Sequence, residues 1–322
     1  MIIVTGANGF IGSALVWELN RSGESDIIAV DSISLSERSE LLKNKKIKKF
    51  LLKDEIWQFL QETPPHQIKA IFHMGACSST TEMNIAFLKE NNTEYTQRLW
   101  AWCTDAKIPY VFASSGAVYG DGSKGFSDET DPNELKPLNP YGASKLEVDQ
   151  WVLKQKSTPP KWFGLRFFNV YGPNEYFKAD MASVVFKASN QIRSTSELKL
   201  FKSHNPKYAD GEQMRDFIYV KDITHWLLEL LSCDIKSGIY NMGFGVARTW
   251  LELAECTFRA MKTPTKISWI DIPEDLRPRY QYFTEAKMQK LFSAGLSRPK
   301  WPLEAGVRDY VENYLTKANL SL

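Results

Sequence analysis

Met1-Ile-Ile-Val-Thr5-Gly6-Ala-Asn-Gly9-Phe-Ile-Gly12-Ser-Ala-Leu-Val-Trp-Glu-Leu19 decides the fold. Its first five residues are an apolar, β-branched run of strand length. They pass without a spacer into three glycines and then into an amphipathic stretch. Strand, glycine turn and helix in that order make a dinucleotide-binding unit. Gly6 supplies the tight turn, Gly9 lets backbone approach a pyrophosphate, and Gly12 lets helix pack on strand. Phe10 and Ile11 open the helix, whose positive N-terminus faces the phosphates. A second strand, Ile27-Ile-Ala-Val30, ends in Asp31, about twenty residues on, where a carboxylate grips a ribose hydroxyl.

Working outward, strands and helices alternate. Phe50-Leu-Leu, Ala70-Ile-Phe-His-Met74, Pro109–Tyr119 and Trp162–Phe168 read as strands; helices are expected at 55–62, 91–104 and 141–154. This alternation predicts an α/β doubly wound parallel sheet (Rossmann) with its ligand at the strand C-termini. From Tyr171 the pattern loosens into a loop at 172–180, a helix at 181–193 and a strand, Leu198-Lys-Leu-Phe201. A polar insertion, 202–214, has the composition of a loop that covers a ligand. A helix at 220–231 and a strand at 238–241 are expected to return to the main lobe. Helices at 249–261 and 303–315 flank the Pro- and Arg-containing stretch 273–283. The expected division is a dinucleotide-binding domain over 1–170, rejoined by 218–245, and a smaller, interleaved substrate domain over 171–322.

The strand at 109–119 ends in small polar residues, Ala113-Ser-Ser-Gly-Ala117, and a helix opens at Asn139-Pro-Tyr-Gly-Ala-Ser-Lys145. Tyr141 and Lys145, four apart, share a helix face. An ammonium beside a phenol lowers its pKa and makes it usable as an acid or base near neutrality. Ser115 would hydrogen-bond the same substrate oxygen. An isolated Tyr-x-x-x-Lys is most often a surface pair and gains meaning only beside a cofactor site. Beside a nicotinamide, these three residues mean hydride transfer at a carbinol.

The 322 residues are 43% hydrophobic and 24% charged, ordinary for a globular protein long enough to form two lobes. A net charge of +2 gives no electrostatic footprint for nucleic acid. The basic run Lys43–Lys49 reads as a solvated loop. No apolar segment has the length of a membrane span, and the first strand starts at residue 2, which argues against a signal peptide. Four scattered cysteines (77, 103, 233 and 256) indicate neither a metal site nor a disulfide framework. The expectation is a cytoplasmic protein.

Together, Thr5-Gly6-x-x-Gly9-x-x-Gly12, Ser115 and Tyr141-x-x-x-Lys145 resemble the extended short-chain dehydrogenase/reductase family, in its nucleotide-sugar branch. Within it, His73–Glu82, Phe168–Pro173, Met181–Ser183, Arg215–Val220 and Arg279–Thr284 are similar to the epimerases that act on carbon 6 of an ADP-linked heptose. The resemblance implies inversion of that carbon by transient oxidation, in lipopolysaccharide core biosynthesis, by a homo-oligomer, a pentamer being one form. Dehydratases of the family carry an Asp-Glu pair after the catalytic hydroxyl; Gly116-Ala-Val118 stands here, which disfavours dehydration. The resemblance implies that Lys178 is a second base and that Gly75, Ala76, Cys77, Ser78 and Ser79 run over the cofactor. Asn92, Val170 and Lys178 belong to the same neighbourhood. Asp31 by itself favours NAD, since a carboxylate repels a 2′-phosphate. Arg38 and nearby lysines, Lys53 the weaker of them, counter this; Ser32 is a further cofactor contact, and the family implies NADP, with NAD left open. Substrate contacts are implied at Asn169, Asp180, Lys187, Phe201, Lys202, Ser203, His204, Arg215, Arg279 and Tyr280. Two of these depart from the family: Asp180 stands in place of Ser and Lys187 in place of His. Competing readings are a nucleoside-diphosphate-hexose 4-epimerase and a non-catalytic cofactor sensor; the intact Ser115, Tyr141 and Lys145 speak against the sensor.

Overall fold

The computed structural model describes residues 1–274, 276, 277, 280–317, 321 and 322, with backbone alone at residue 180. Twelve strands are formed among them: β1 (Ile2–Thr5), β2 (Ile27–Asp31), β3 (Lys49–Leu52), β4 (Ala70–His73), β5 (Tyr110–Ser115), β6 (Trp162–Phe167), β7 (Asn169–Tyr171), β8 (Leu198–Phe201), β9 (Met214–Tyr219), β10 (Gly238–Met242), β11 (Ala247–Thr249) and β12 (Ile267–Ile270). Seven of them form one parallel sheet in the order β10-β6-β5-β4-β1-β2-β3. This is the doubly wound α/β fold.

Both faces of such a sheet are covered, so its strands are continuously apolar rather than alternating. Ile2 and Val4 of β1 enter one core and Ile3 the other. On the first face lie α1 (Phe10–Arg21), through Leu15, Val16 and Leu19, and the later helix at Val220–Ser232, through Ile223, Trp226 and Leu227. After α2 (Ile56–Glu62), the second face is covered by a longer helical run. It is α3 (Ile85–Leu88), a π-helical turn (Lys89–Glu94) and α4 (Tyr95–Ala106). It starts six residues earlier than the apolar spacing indicates, because the Asn84 side-chain Oδ1 accepts the Phe87 N–H at 3.0 Å and caps it. The π-helical turn carries Asn92 fully inside the molecule. Next on this face is α5 (Pro140–Val152), which bears Tyr141 and Lys145.

The chain then forms α6 (Val184–Thr195), α7 (Val220–Ser232), α8 (Trp250–Ala260), α9 (Gln289–Ser293) and α10 (Leu303–Tyr310). α6 begins three residues later than expected, at the point where Ser183 caps it. β10 joins the main sheet beside β6, and α7 packs on α1. Two small sheets, β11-β9-β7 and β12-β8, belong to the remaining segments. In the basic run, Lys43, Lys46, Lys48 and Lys49 are exposed as expected, but Lys45 turns inward. Its ammonium donates to the carbonyls of Leu41 (2.5 Å) and Leu322 (2.8 Å), and burial lowers its pKa to about 8. Among the described residues no helix is long and apolar enough to cross a membrane, and no cluster of metal-ligating side chains occurs.

Candidate active site

The C-terminal ends of β1, β2, β4, β5 and β6 open into one cleft of about 660 Å³. Its floor is the glycine turn. Gly6 has φ +67°, and a Cβ there would stand 2.5 Å from the Gly75 nitrogen. A Cβ on Gly12 would overlap the Gly6 carbonyl oxygen, so α1 could not pack where it does. Gly9, at the N-cap of α1, has no side chain over the helix end. An elongated cleft, a bare helix N-terminus and a turn tolerating only glycine are what a dinucleotide pyrophosphate needs. Phe10, Ile11, Asp31, Ser32, Arg38, Lys53, Gly75, Ala76, Cys77, Ser78, Asn169 and Val170 line the same cleft. Ser79 does not; its hydroxyl bonds Thr81 at 2.9 Å. Asn92 lies behind the wall. Its amide bonds the Cys77 N–H (2.9 Å), the Cys77 carbonyl (3.0 Å) and the Ser144 hydroxyl (3.0 Å), so it shapes the loop over the cleft from beneath.

Ser115, Tyr141, Lys145 and Lys178 all line this cleft. β5 delivers Ser115, whose hydroxyl accepts the Ala117 N–H at 3.1 Å and lies close enough to the Tyr141 phenol to favour its ionised form. Asn139 caps α5 by accepting the Gly142 N–H at 2.8 Å, which fixes the first turn carrying Tyr141. The Lys145 ammonium donates to the Ala113 carbonyl at 2.9 Å. The expectation that Lys145 lowers the Tyr141 pKa is not met in this structure. Burial pushes the phenol up, opposed by the Ser115 hydroxyl, and the Lys145 proton donor is turned to the β5 backbone. Burial also lowers Lys145 to about 8, with Asp149 and Cys77 opposing it.

Lys178 stands 5.3 Å from the Phe10 ring centre, and burial lowers its pKa while Glu175 raises it. Its loop is braced from both sides. The Glu175 carboxylate accepts from the Gly172 N–H (3.2 Å), the Ser183 N–H (2.6 Å) and the Ser183 hydroxyl (2.6 Å). Asn174, in the left-handed region at φ +80°, donates to the Ser13 hydroxyl of α1 at 2.9 Å.

At the other end, Asp31 lines the cleft while each of its oxygens also accepts a backbone N–H. One oxygen accepts the Asn8 N–H (2.8 Å) and the other the Ile33 N–H (3.0 Å). Arg38 donates to the Asn8 carbonyl (2.9 Å) and stacks 3.7 Å over the Phe177 ring, and Lys53 donates to Asn91 (2.7 Å). Asn8, Phe177 and Asn91 escape a sequence reading because their partners lie far along the chain.

The second half of the chain gathers Phe201, Arg215 and Tyr280. The Arg215 guanidinium lies 5.4 Å from the Tyr280 ring centre and 5.6 Å from that of Trp250, a residue of the cleft wall. It donates to the carbonyls of Met214 (2.8 Å) and Gln281, and is not itself on that wall. Phe201 meets Tyr280 edge-on at 6.3 Å. Lys202, Ser203 and His204 follow β8 and are not among the residues lining the cleft, and Lys187 is exposed on the first turn of α6. Arg279 and the Asp180 side chain lie outside the described residues.

Residues 2–243 match the NAD dependent epimerase/dehydratase family. The chain is 46% identical, over 98% of each sequence, to an ADP-L-glycero-D-manno-heptose-6-epimerase of Fusobacterium nucleatum. The crystal structure of the Helicobacter pylori ADP-L-glycero-D-manno-heptose-6-epimerase superposes with a TM-score of 0.82 at 26% identity, covering 97% of this chain and 95% of that one. A Thermus thermophilus UDP-glucose 4-epimerase, solved with NAD, follows at 0.77 and 25% identity, covering 97% of each. Family match, sheet order and a cleft shaped for a nicotinamide dinucleotide agree, and the chain belongs to the NAD-dependent epimerase/dehydratase family.

Proposed function

We propose that this protein is an isomerase that inverts carbon 6 of the heptose in ADP-D-glycero-D-manno-heptose, giving the L-glycero epimer, with bound NADP. The observation that carries the reading is the meeting of Ser115, Tyr141, Lys145 and Lys178 in the cleft floored by the dinucleotide turn. The full-length likeness to curated heptose epimerases supports the substrate. When bound, the nicotinamide accepts a hydride from carbon 6 and returns it. Tyr141, beside Ser115, exchanges the proton of the carbon-6 hydroxyl in one of the two poses. Inversion requires the sugar end to turn over between the two transfers, because a nicotinamide presents one face. In the second pose the oxygen meets a different protein group. Lys178 fills that role: as the ammonium it gives the oxygen its proton when hydride returns, and its lowered pKa lets the neutral amine take that proton when the reaction runs the other way. Lys145, on the same helix face as Tyr141, would hold the cofactor ribose.

Three features support NADP over NAD. Asp31 is occupied by two backbone N–H groups, Arg38 is held at the cleft edge by stacking, and Lys53 stands nearby. Two cations beside a carboxylate already engaged favour a 2′-phosphate. Cofactor released from denatured protein is expected to be mostly NADP(H); only NAD(H) would reject this.

Incubation with ADP-D-glycero-D-manno-heptose should give a mixture of the two carbon-6 epimers. Conversion of UDP-hexoses alone would overturn the substrate assignment in favour of a 4-epimerase. Tyr141→Phe and Lys178→Met should each slow the reaction by about 10²-fold or more with the cofactor retained. A Lys178→Met variant at the parent rate leaves Tyr141 as the single base.

A further inference from the structure

Beneath the Tyr141 helix lies a pair of charges that no step above uses. Asp149 of α5 and Arg166 of β6 are both 0% exposed, with the Arg166 Nε 2.8 Å from an Asp149 oxygen. Tyr141, Lys145 and Asp149 are spaced four apart and so share one helix face. Arg166 stands opposite Ser114 in the β5–β6 ladder, one residue before Ser115. Its Nη1 donates to the Tyr119 hydroxyl at 2.9 Å, and Tyr119 closes the short 3₁₀ turn that Ser115 caps. The Tyr119 hydroxyl in turn donates to Asn241 of β10 at 2.7 Å, and the Asn241 N–H donates to Asp128 at 2.9 Å. One guanidinium therefore touches both elements that carry the reacting groups.

Packing alone does not explain such a pair. Desolvating two charges offsets much of their attraction, and apolar residues of similar volume often serve stability as well or better. What apolar residues lack is the planar fork that fixes two partners at once. We infer that the Asp149–Arg166 pair is a positioning device for the reaction, holding the Ser115 turn and the Tyr141/Lys145 helix in one register. This rests on the hydride-transfer reading of Ser115, Tyr141 and Lys145. The Asp149 carboxylate has a second consequence. The titratable groups around Lys145 are Asp149 and Tyr141 on its own helix, His73 on β4, and Cys77 in the loop that follows β4. Asp149 is the larger of the two influences that keep the buried ammonium charged. Asp149 itself faces Arg166 from β6, Tyr119 from the Ser115 turn, and Lys145.

The test compares Asp149→Asn, Arg166→Lys and the double variant Asp149→Leu/Arg166→Met, measuring cofactor content, KM, kcat and the pH profile of kcat. Asp149→Asn is expected to lower kcat about 10-fold or more, with KM and cofactor content nearly unchanged. It should also move the alkaline limb to lower pH, because the carboxylate no longer supports the Lys145 charge. Arg166→Lys keeps the charge but cannot reach both partners, so kcat falls while the limb stays in place. The double variant should fold and remain slow. If a single variant fails to fold, Tyr119→Phe, which loses one hydroxyl, is expected to lower kcat about 3-fold or more with the limb unmoved. Parent kcat and limb in the double variant, or unchanged kcat in both Arg166→Lys and Tyr119→Phe, overturns the inference. Tyr141→Phe run alongside separates the two ideas. Full turnover there sinks the reading of the site itself, whereas loss there beside unaffected Arg166→Lys and Tyr119→Phe sinks only the positioning role.

Discussion

His73 shows how a single buried side chain makes the molecule sensitive to acid. It lies at the end of β4, with one ring nitrogen 2.6 Å from the Thr5 hydroxyl and the other 3.0 Å from that of Thr96. Burial, and secondarily the Lys145 charge, push its pKa down to about 3. An unfolded histidine takes a proton below about pH 6.5. Between about 6.5 and 3 the unfolded state therefore binds more protons, and the stability present above that window is lost as pH falls through it. One such proton changes the slope by up to about 1.4 kcal/mol per pH unit. Urea unfolding of the parent and of His73→Gln from pH 7 to 4 should show the steeper pH dependence in the parent; parallel curves would mean His73 is charged in the fold. Residues of this kind mark the limit of legibility. The spacing of Tyr141 and Lys145 was readable because a helix turns a four-residue interval into a shared face. The charge state of Tyr141 was not, because it depends on burial and on which way the Lys145 proton donor points. The same holds for Asp31, whose oxygens are engaged by groups 23 and 2 residues away.

The elements differ in how far they were written locally. β1, the glycine turn and α1 are contiguous, so their order alone indicated the fold. β7, β9, β11 and β12 pair only with strands remote in sequence, and their apolar content does not distinguish them from loop or helix. Helix ends were set by caps rather than by apolar periodicity, as Asn84 and Ser183 show. Caps also permit a controlled comparison between helices. Asn139→Ala removes the bond to the Gly142 N–H at the start of α5, and Thr249→Ala removes one half of the capping box with Glu252 on α8. Each should cost about 1 kcal/mol of stability. Only Asn139→Ala should also depress kcat, since Tyr141 sits two residues beyond that cap. Equal turnover in the two variants, measured beside their melting temperatures, would show that the first turn of α5 does not need the cap to hold its tyrosine.

For the molecule as a whole, the division of labour is clear in outline. The sheet and its covering helices supply the turn, the cleft and the Ser115–Tyr141 pair, while the later segments supply Trp250 and the Arg215–Tyr280 cluster beside them. One feature of the sheet bears on how the protein is made. β10, from residues 238–242, pairs directly with β6, which ends at Phe167. A ribosome adding about 5–20 residues per second therefore leaves β6 with one bare edge for on the order of ten seconds. That edge belongs to Trp162-Phe-Gly-Leu-Arg-Phe167, an aromatic run that invites pairing with another nascent chain. Chains ending at Phe201 contain six of the seven strands of the sheet. They are expected to sediment after expression, whereas the full chain stays in the supernatant. Equal solubility would mean that the unfinished edge is guarded by some other segment during synthesis. Translation speed between residues 167 and 242, and access of holding chaperones to that window, then become determinants of yield that no property of the finished enzyme records.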